Sequence, residues 1–159
     1  MAHLLIVHHS PTEKIHGMAQ TVIDAAQDAA EQVNAELPAD QHLRIIERDA
    51  LHPDADELAE ADAVLLGTTA NFGYISGALK HYFDSTYVKN QGVDKMFSYW
   101  IRGGYDTTGA EKAMESITTG FGWSRAAEPV TFTGEIEPHQ DELVALAQNT
   151  VGAWFASIG

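Results

Sequence analysis

The order of apolar runs predicts a three-layer α/β sandwich whose five strands form a parallel sheet in the order 2-1-3-4-5. Three observations predict it. Short apolar runs alternate with longer amphipathic stretches from one end of the chain to the other, the pattern of strand–helix–strand units. The clearest runs are apolar without a break, as in strands covered on both faces. The chain has 159 residues, 45% of them hydrophobic, which is enough for one core and too little for two ordinary domains. Residues 1–159 are therefore read as a single domain.

The elements follow in order. "HLLIVHH" is the first strand. Beyond "SPTEK", the apolar residues Ile15, Met18, Ala19, Val22, Ala26, Ala29 and Val33 recur at helical spacing. Pro38 in "ELPADQ" cannot continue that helix, because it lacks the N–H and its ring clashes with the preceding turn. "LRIIER" is the second strand, "DADELAEA" a short helix, and "AVLLGT" the third strand. "GALKHYFDSTY" is a helix with Ser76 as its N-cap and Leu79, Tyr82 and Phe83 facing inward. "MFSYWI" is the fourth strand. "TTGAEKAMESITTG" is a helix starting near Thr107 or Thr108 as N-cap and ending at Gly120. "EPVTFT" is the fifth strand, and "PHQDELVALAQNTVGAWFASI" a closing helix with Leu143, Leu146, Thr150, Trp154 and Ile158 on one stripe.

Composition excludes several functions. The formal charge of −14 repels nucleic acid and anionic membranes. Many of the carboxylates, in "DAAQDAAEQ" and "DADELAEAD", read as solvated helix faces; a docking surface for a basic redox partner is the alternative. The absence of cysteine removes disulfides, thiolate metal sites and thiolate phosphatase chemistry. No apolar run is long enough to insert in a membrane, and "LLIV" is too short for a signal peptide, so a cytoplasmic location is expected.

In this sheet order a ligand crevice lies beyond the carboxyl ends of strands 1 and 3. Three loops reach it: "HSPTEK", "TTANFGYIS" and "RGGYD". In the first, Ser10 and Thr12 precede a helix N-terminus, where free amides and the helix dipole favour an anion. With Lys14 and the nearby His9 they suit a phosphate, and ordinary capping explains the hydroxyls equally well. In the second, Thr69 and Ala70 lead into Asn71, Phe72 and Gly73. A glycine allows close backbone approach, and an aromatic covers a flat ring such as isoalloxazine; a core Phe and a turn Gly form the plainer reading. In the third, Gly103 and Gly104 permit a second close approach, Tyr105 can stack, and Arg102 can meet an anionic flavin or a nicotinamide phosphate.

At these residues the chain resembles the flavodoxin-like NAD(P)H-dependent FMN reductases and quinone oxidoreductases, of the tryptophan-repressor-binding-protein type. Gly67, Thr68, Phe72, Gly73, Ser76 and Gly77 match the pattern G-[ST]-P-x-x-F-G-x-x-S-G of that family's ring loop. Ser10, Thr12, Met18 and Ala19 match its phosphate loop, S-x-T-G-N-T-x-x-[ML]-A. The chain departs from both at Glu13, Lys14 and Ile15, which stand for Gly-Asn-Thr, and at Thr69, which stands for Pro. A carboxylate at Glu13 has to point away from a bound dianion. The resemblance implies a flavodoxin-like fold, non-covalent FMN, NAD(P)H as electron donor, a quinone or similar small acceptor, and association as a homo-oligomer. It implies no acid–base side chain, since the ring does the hydride chemistry.

The eight histidines invite a metal reading. His8 and His9 are adjacent and point to opposite faces of a strand, and His16 has no carboxylate at ligand spacing to complete a site, so no metal is expected. His81 reads as a helix-surface or interface residue. A receiver-type signalling domain needs clustered acids after strand 1 and an aspartate ending strand 3, where this chain has His8-His9-Ser10 and Gly67-Thr68-Thr69. Two non-enzyme readings stay open: a flavodoxin-type electron carrier, and a flavin-free binding module on the same scaffold.

Overall fold

The computed structural model describes residues 1–159. Strand β1 spans Ala2–His8, helix α1 Glu13–Asn34, β2 Leu43–Asp49, α2 Ala55–Glu60 and β3 Ala63–Asn71. After them come β4 Tyr74–Ile75, α3 Gly77–Asn90, β5 Met96–Gly103, α4 Thr108–Phe121, β6 Ser124–Arg125, β7 Val130–Thr133 and α5 Gln140–Ile158. The parallel order is β2-β1-β3-β5, with β6 and β7 both pairing along the outer edge of β5. This is the expected 2-1-3-4-5 order with its fifth strand broken in two. The seven-strand count also includes β4, which pairs antiparallel with β3.

Period-two alternation in β1 sends side chains into two separate cores. Leu4 and Ile6 join 22 buried residues, including those under α1 and α5. Leu5 and Val7 belong to a second cluster of 19, under α2, α3 and α4. The α1 stripe behaves as its spacing predicts: Ile15, Met18, Ala19, Val22 and Ala26 are buried, with Ala29 and Val33 packed at the margin. Leu79, Tyr82 and Phe83 face inward from α3, whose Ser76 cap accepts from the Leu79 amide.

Two boundaries and two side-chain details differ from the sequence reading. β3 continues past Thr68 and folds back through a hairpin, so the segment read as a loop is partly sheet. α4 runs through Gly120 and stops at Gly122, whose φ of 89° suits a glycine C-cap; a glycine inside a helix is unfavourable but does not end it. α4 starts after Thr107, as expected, but Thr107 makes no side-chain cap; Asp106 Oδ1 accepts from the Thr108 amide at 3.0 Å instead. Ile158 is exposed rather than on the buried stripe, since it lies in the last turn of α5, beyond the core.

One contact positions the carboxyl end of the sheet. Gly67 on β3 sits beside Trp100 on β5, and a β-carbon at Gly67 would lie 2.0 Å from the Trp100 indole. The indole therefore lies over bare backbone, buried on the α1–α5 face. Gly67→Ala should force the indole out of place and cost about 1–3 kcal/mol, as overpacking usually does. A lowered urea midpoint with an unchanged slope is the expected result.

Candidate functional site

Parallel register brings the three candidate loops to one end of the sheet. His8 pairs with Gly67, Thr69 with Arg102, and Ala70 with Gly103. Loops emerging after His8, Asn71 and Gly103 therefore share one rim, at the switch point where β1 and β3 lie side by side.

The hydroxyl loop carries its candidates in two roles. Thr12 is the N-cap of α1, its Oγ1 accepting from the Ile15 amide at 3.3 Å. Ser10 is bound instead to His8, with Oγ 2.8 Å from Nδ1. His8 is buried, its ring tilted against Trp100 with centroids 6.2 Å apart, and its Nε2 lies 2.7 Å from Glu47 Oε2. Lys14 turns toward the loop after β7, where its Nζ donates to Glu135 at 3.4 Å. Glu13 lines a separate cavity of about 220 Å³ with Glu135 and Glu137, away from the histidines.

His8, His9, Ser10, His16, Glu47 and Asp49 line a cavity of about 320 Å³ with no hydrophobic member. This corrects the expectation that His8 and His9 diverge. β1 ends at His8, so His9 no longer obeys strand alternation, and its Nδ1 pairs with Asp49 Oδ1 at 3.2 Å. The Asp49 carboxyl sits below the usual range: burial works against this, and the Leu51 amide, His9 and His52 outweigh it. No three of these histidines and carboxylates are arranged to hold a metal ion. His81 is exposed on α3.

The second loop is a two-residue hairpin. Asn71 pairs with Tyr74, and the turn residues Phe72 and Gly73 both have positive φ, 52° and 74°. Such turns favour Asn-Gly; a phenylalanine there is strained. Phe72 is also fully exposed, at 108%. Its strain is not repaid by burial within the chain. Thr68 Oγ1 pins the hairpin base by accepting from the Ser76 amide at 3.0 Å, and Thr69 Oγ1 donates to Asn71 Oδ1 at 3.0 Å.

In the third loop Gly103 is buried, and a β-carbon there would come within 3.3 Å of Ala70 Cβ and 3.1 Å of Thr107 Cγ2. Gly104 is free of such crowding, and Tyr105 is 96% exposed. Arg102 is half-buried, with Nε donating to the Gly134 carbonyl at 2.9 Å.

Sequence reasoning passed over Glu47, Asp49 and Gly109. The two acids do carry a signal: they stand at alternate positions in the carboxyl half of the strand, where they face one side. Gly109 carries none, since it lies within a helical pattern.

No protein-family model matches the chain. It is 29% identical over 132 residues to an NAD(P)H dehydrogenase (quinone) of Geotalea daltonii, an alignment covering 73% of this chain and 64% of that one. The chain thus spans under two thirds of the length of this curated relative. The two-electron-reduced flavodoxin of Megasphaera elsdenii superposes with a TM-score of 0.73 at 17% identity, covering 94% of this chain and 98% of the other. A WrbA-like flavodoxin of Agrobacterium tumefaciens gives 0.68 at 16% identity, covering 97% and 98%. The fold is that of the flavodoxins, and the resemblance read in the two loops agrees with it.

Gly109 lets the hairpin seat on α4: a β-carbon there would lie 1.9 Å from the Gly73 carbonyl oxygen. Gly109→Ala should lift the hairpin, costing about 1–3 kcal/mol. Amide hydrogen exchange should speed up at residues 70–75 and stay unchanged in β1.

Proposed function

We propose that the chain binds FMN at the shared rim and uses NAD(P)H to reduce it, passing electrons to a quinone or similar small acceptor. The observation that carries this reading is Phe72. A strained residue exposed at a ligand-binding switch point recovers its energy by contact with something outside the chain, and a flat ring is the partner an aromatic face accepts. The likeness to an NAD(P)H dehydrogenase (quinone) supports the class of donor and acceptor.

The residues present fit such a group. Ser10 and Thr12, with His9 near them, lie in the loop before α1, where a phosphate would meet free amides, while the expected Lys14 is turned away to Glu135. Thr69, Ala70, Asn71, Phe72 and Gly73 form the hairpin that would lie beside the ring edge, and Gly103, Gly104 and Tyr105 the neighbouring loop. FMN supplies hydride acceptance and electron transfer when bound. Phe72 and Tyr105 are both exposed, so neither is buried where it would close off a ring face from nicotinamide. Arg102 adds a cation at that edge, steadied by Gly134. The same exposed aromatics offer a surface for a second copy of the chain. With a charge of −14, a cytoplasmic role away from nucleic acid is the reading we extend to it. No helix is long and apolar enough to cross a membrane.

A second reading, a flavodoxin-type carrier reduced by another protein, is favoured by the likeness in fold to flavodoxins such as that of Megasphaera elsdenii, with its TM-score of 0.73. Anaerobic mixing separates the two. NADH or NADPH should bleach the bound-flavin absorbance within minutes, and a quinone should restore it. Arg102→Ala should slow the bleaching about tenfold, the loss expected for one charge-assisted contact, with a smaller effect on FMN affinity. Flavin that binds yet is bleached only by a reductase protein establishes the carrier. Gly73→Val should weaken flavin binding without unfolding the domain, because a branched residue resists the positive φ at that turn.

A further inference from the structure

The least expected feature of the rim is that a buried histidine, not solvent, holds the hydroxyl of Ser10. His8 is 6% exposed and bonded at both ring nitrogens. Glu47, half in solvent, is a carboxylate and can only accept. His8 Nε2 must therefore carry a hydrogen. In the neutral ring Nδ1 is then a lone pair, and the Ser10 hydroxyl spends its only hydrogen on it. Ser10 in that state turns oxygen lone pairs toward the cavity and opposes an anion.

A second proton on His8 reverses this. Nδ1–H then donates to Ser10 Oγ, the serine hydrogen is released into the cavity, and the ring gains a positive charge beneath it. We propose that Glu47, His8 and Ser10 form a relay that makes this cavity a proton-coupled phosphomonoester site, taking up a dianion together with one proton on His8. The proton comes from solvent, and only an N–H bond forms. His8 acts through Ser10 and is a positioning residue; it reads the charge of the ligand rather than its ring. The proposal rests on the FMN reading only for the identity of the phosphate's owner.

The surroundings agree. Lys14, the nearest lysine in sequence, is turned to Glu135, so the cavity lacks its charge. Glu47 and Asp49 face the cavity from β2, His9 follows on the loop from β1, and His16 faces it from α1. Asp49 is shared with His9 and His52, which leaves Glu47 as the sole carboxylate on His8. β3 and β5 present Gly67 and Trp100, which carry no charge. Arg102, further along β5, is directed to Gly134.

The test is the pH dependence of binding by the intact chain between pH 6.5 and 8.5, the lower limit kept above about pH 6, where a phosphomonoester becomes a monoanion. FMN affinity should fall as pH rises, approaching about tenfold per pH unit for uptake of one proton, while riboflavin affinity stays level. His8→Asn should flatten the FMN profile. Glu47→Gln, at a half-exposed side chain, should weaken FMN more than riboflavin, because the imidazolium loses its counter-charge. FMN held more tightly than riboflavin with a level profile in wild type overturns the relay and leaves the FMN site standing. Phenyl phosphate, a phosphomonoester without a flavin, is the third probe, followed through the histidine ring proton resonances. Its binding with the sloping profile in a chain that binds neither flavin sustains the relay and overturns the FMN reading. A chain that binds none of the three overturns both.

Discussion

The carboxyl end of this sheet depends on an indole lying over a glycine. Trp100 occupies the space a β-carbon at Gly67 would need, so two parallel strands carry between them a flat, buried aromatic surface. His8, the next strand across, sets its ring against that surface. A polar ring is rarely buried at a strand end without partners, and here Glu47 and Ser10 supply one to each nitrogen. The packing of one tryptophan thus dictates where a histidine sits, and the histidine dictates how a loop serine is oriented.

A chain with a net charge of −14 is a poor host for an anion unless its carboxylates are managed locally. Two arrangements do this. Glu47 and Asp49 are each tied to an imidazole at the mouth of the histidine cavity. Glu13, Glu135 and Glu137 gather on the far side of the loop, with Lys14 among them. The acidic residue that departs most visibly from the resembled phosphate loop is therefore not aimed at the histidine cavity.

The opposite side of the rim is governed by backbone conformation. The hairpin after β3 holds Phe72 in the left-handed region and rests its turn on Gly109. Buried Gly103 lets the loop after β5 pass close to Ala70. Small residues draw the two loops together, and the large aromatics, Phe72 and Tyr105, stay in solvent. Polar side chains on one side and exposed aromatic faces on the other give the rim two chemically different sides.

Apolar periodicity alone marked the alternation of strands and helices, hence the layers, and the inward faces of α1 and α3, because burial on both sides of a parallel sheet leaves an unbroken hydrophobic signature in its central strands; the order 2-1-3-4-5 was the arrangement such an alternation suits. Loop composition alone pointed to Ser10, Thr12, Asn71, Phe72, Gly73 and Arg102, because glycines, aromatics and hydroxyls exceed what a connector needs. Tertiary structure decided the rest. The broken outer edge of the sheet depends on which short segments reach β5, and no periodicity marks a strand of two residues. The hairpin depends on room made by Gly109, a residue 36 positions beyond Gly73 in the chain. The partnership of His8 with Glu47 spans 39 residues and exists because parallel register sets β1 beside β2. A sequence records what each residue prefers for a neighbour; which neighbour it receives is settled by strand register and by the space that distant side chains leave open.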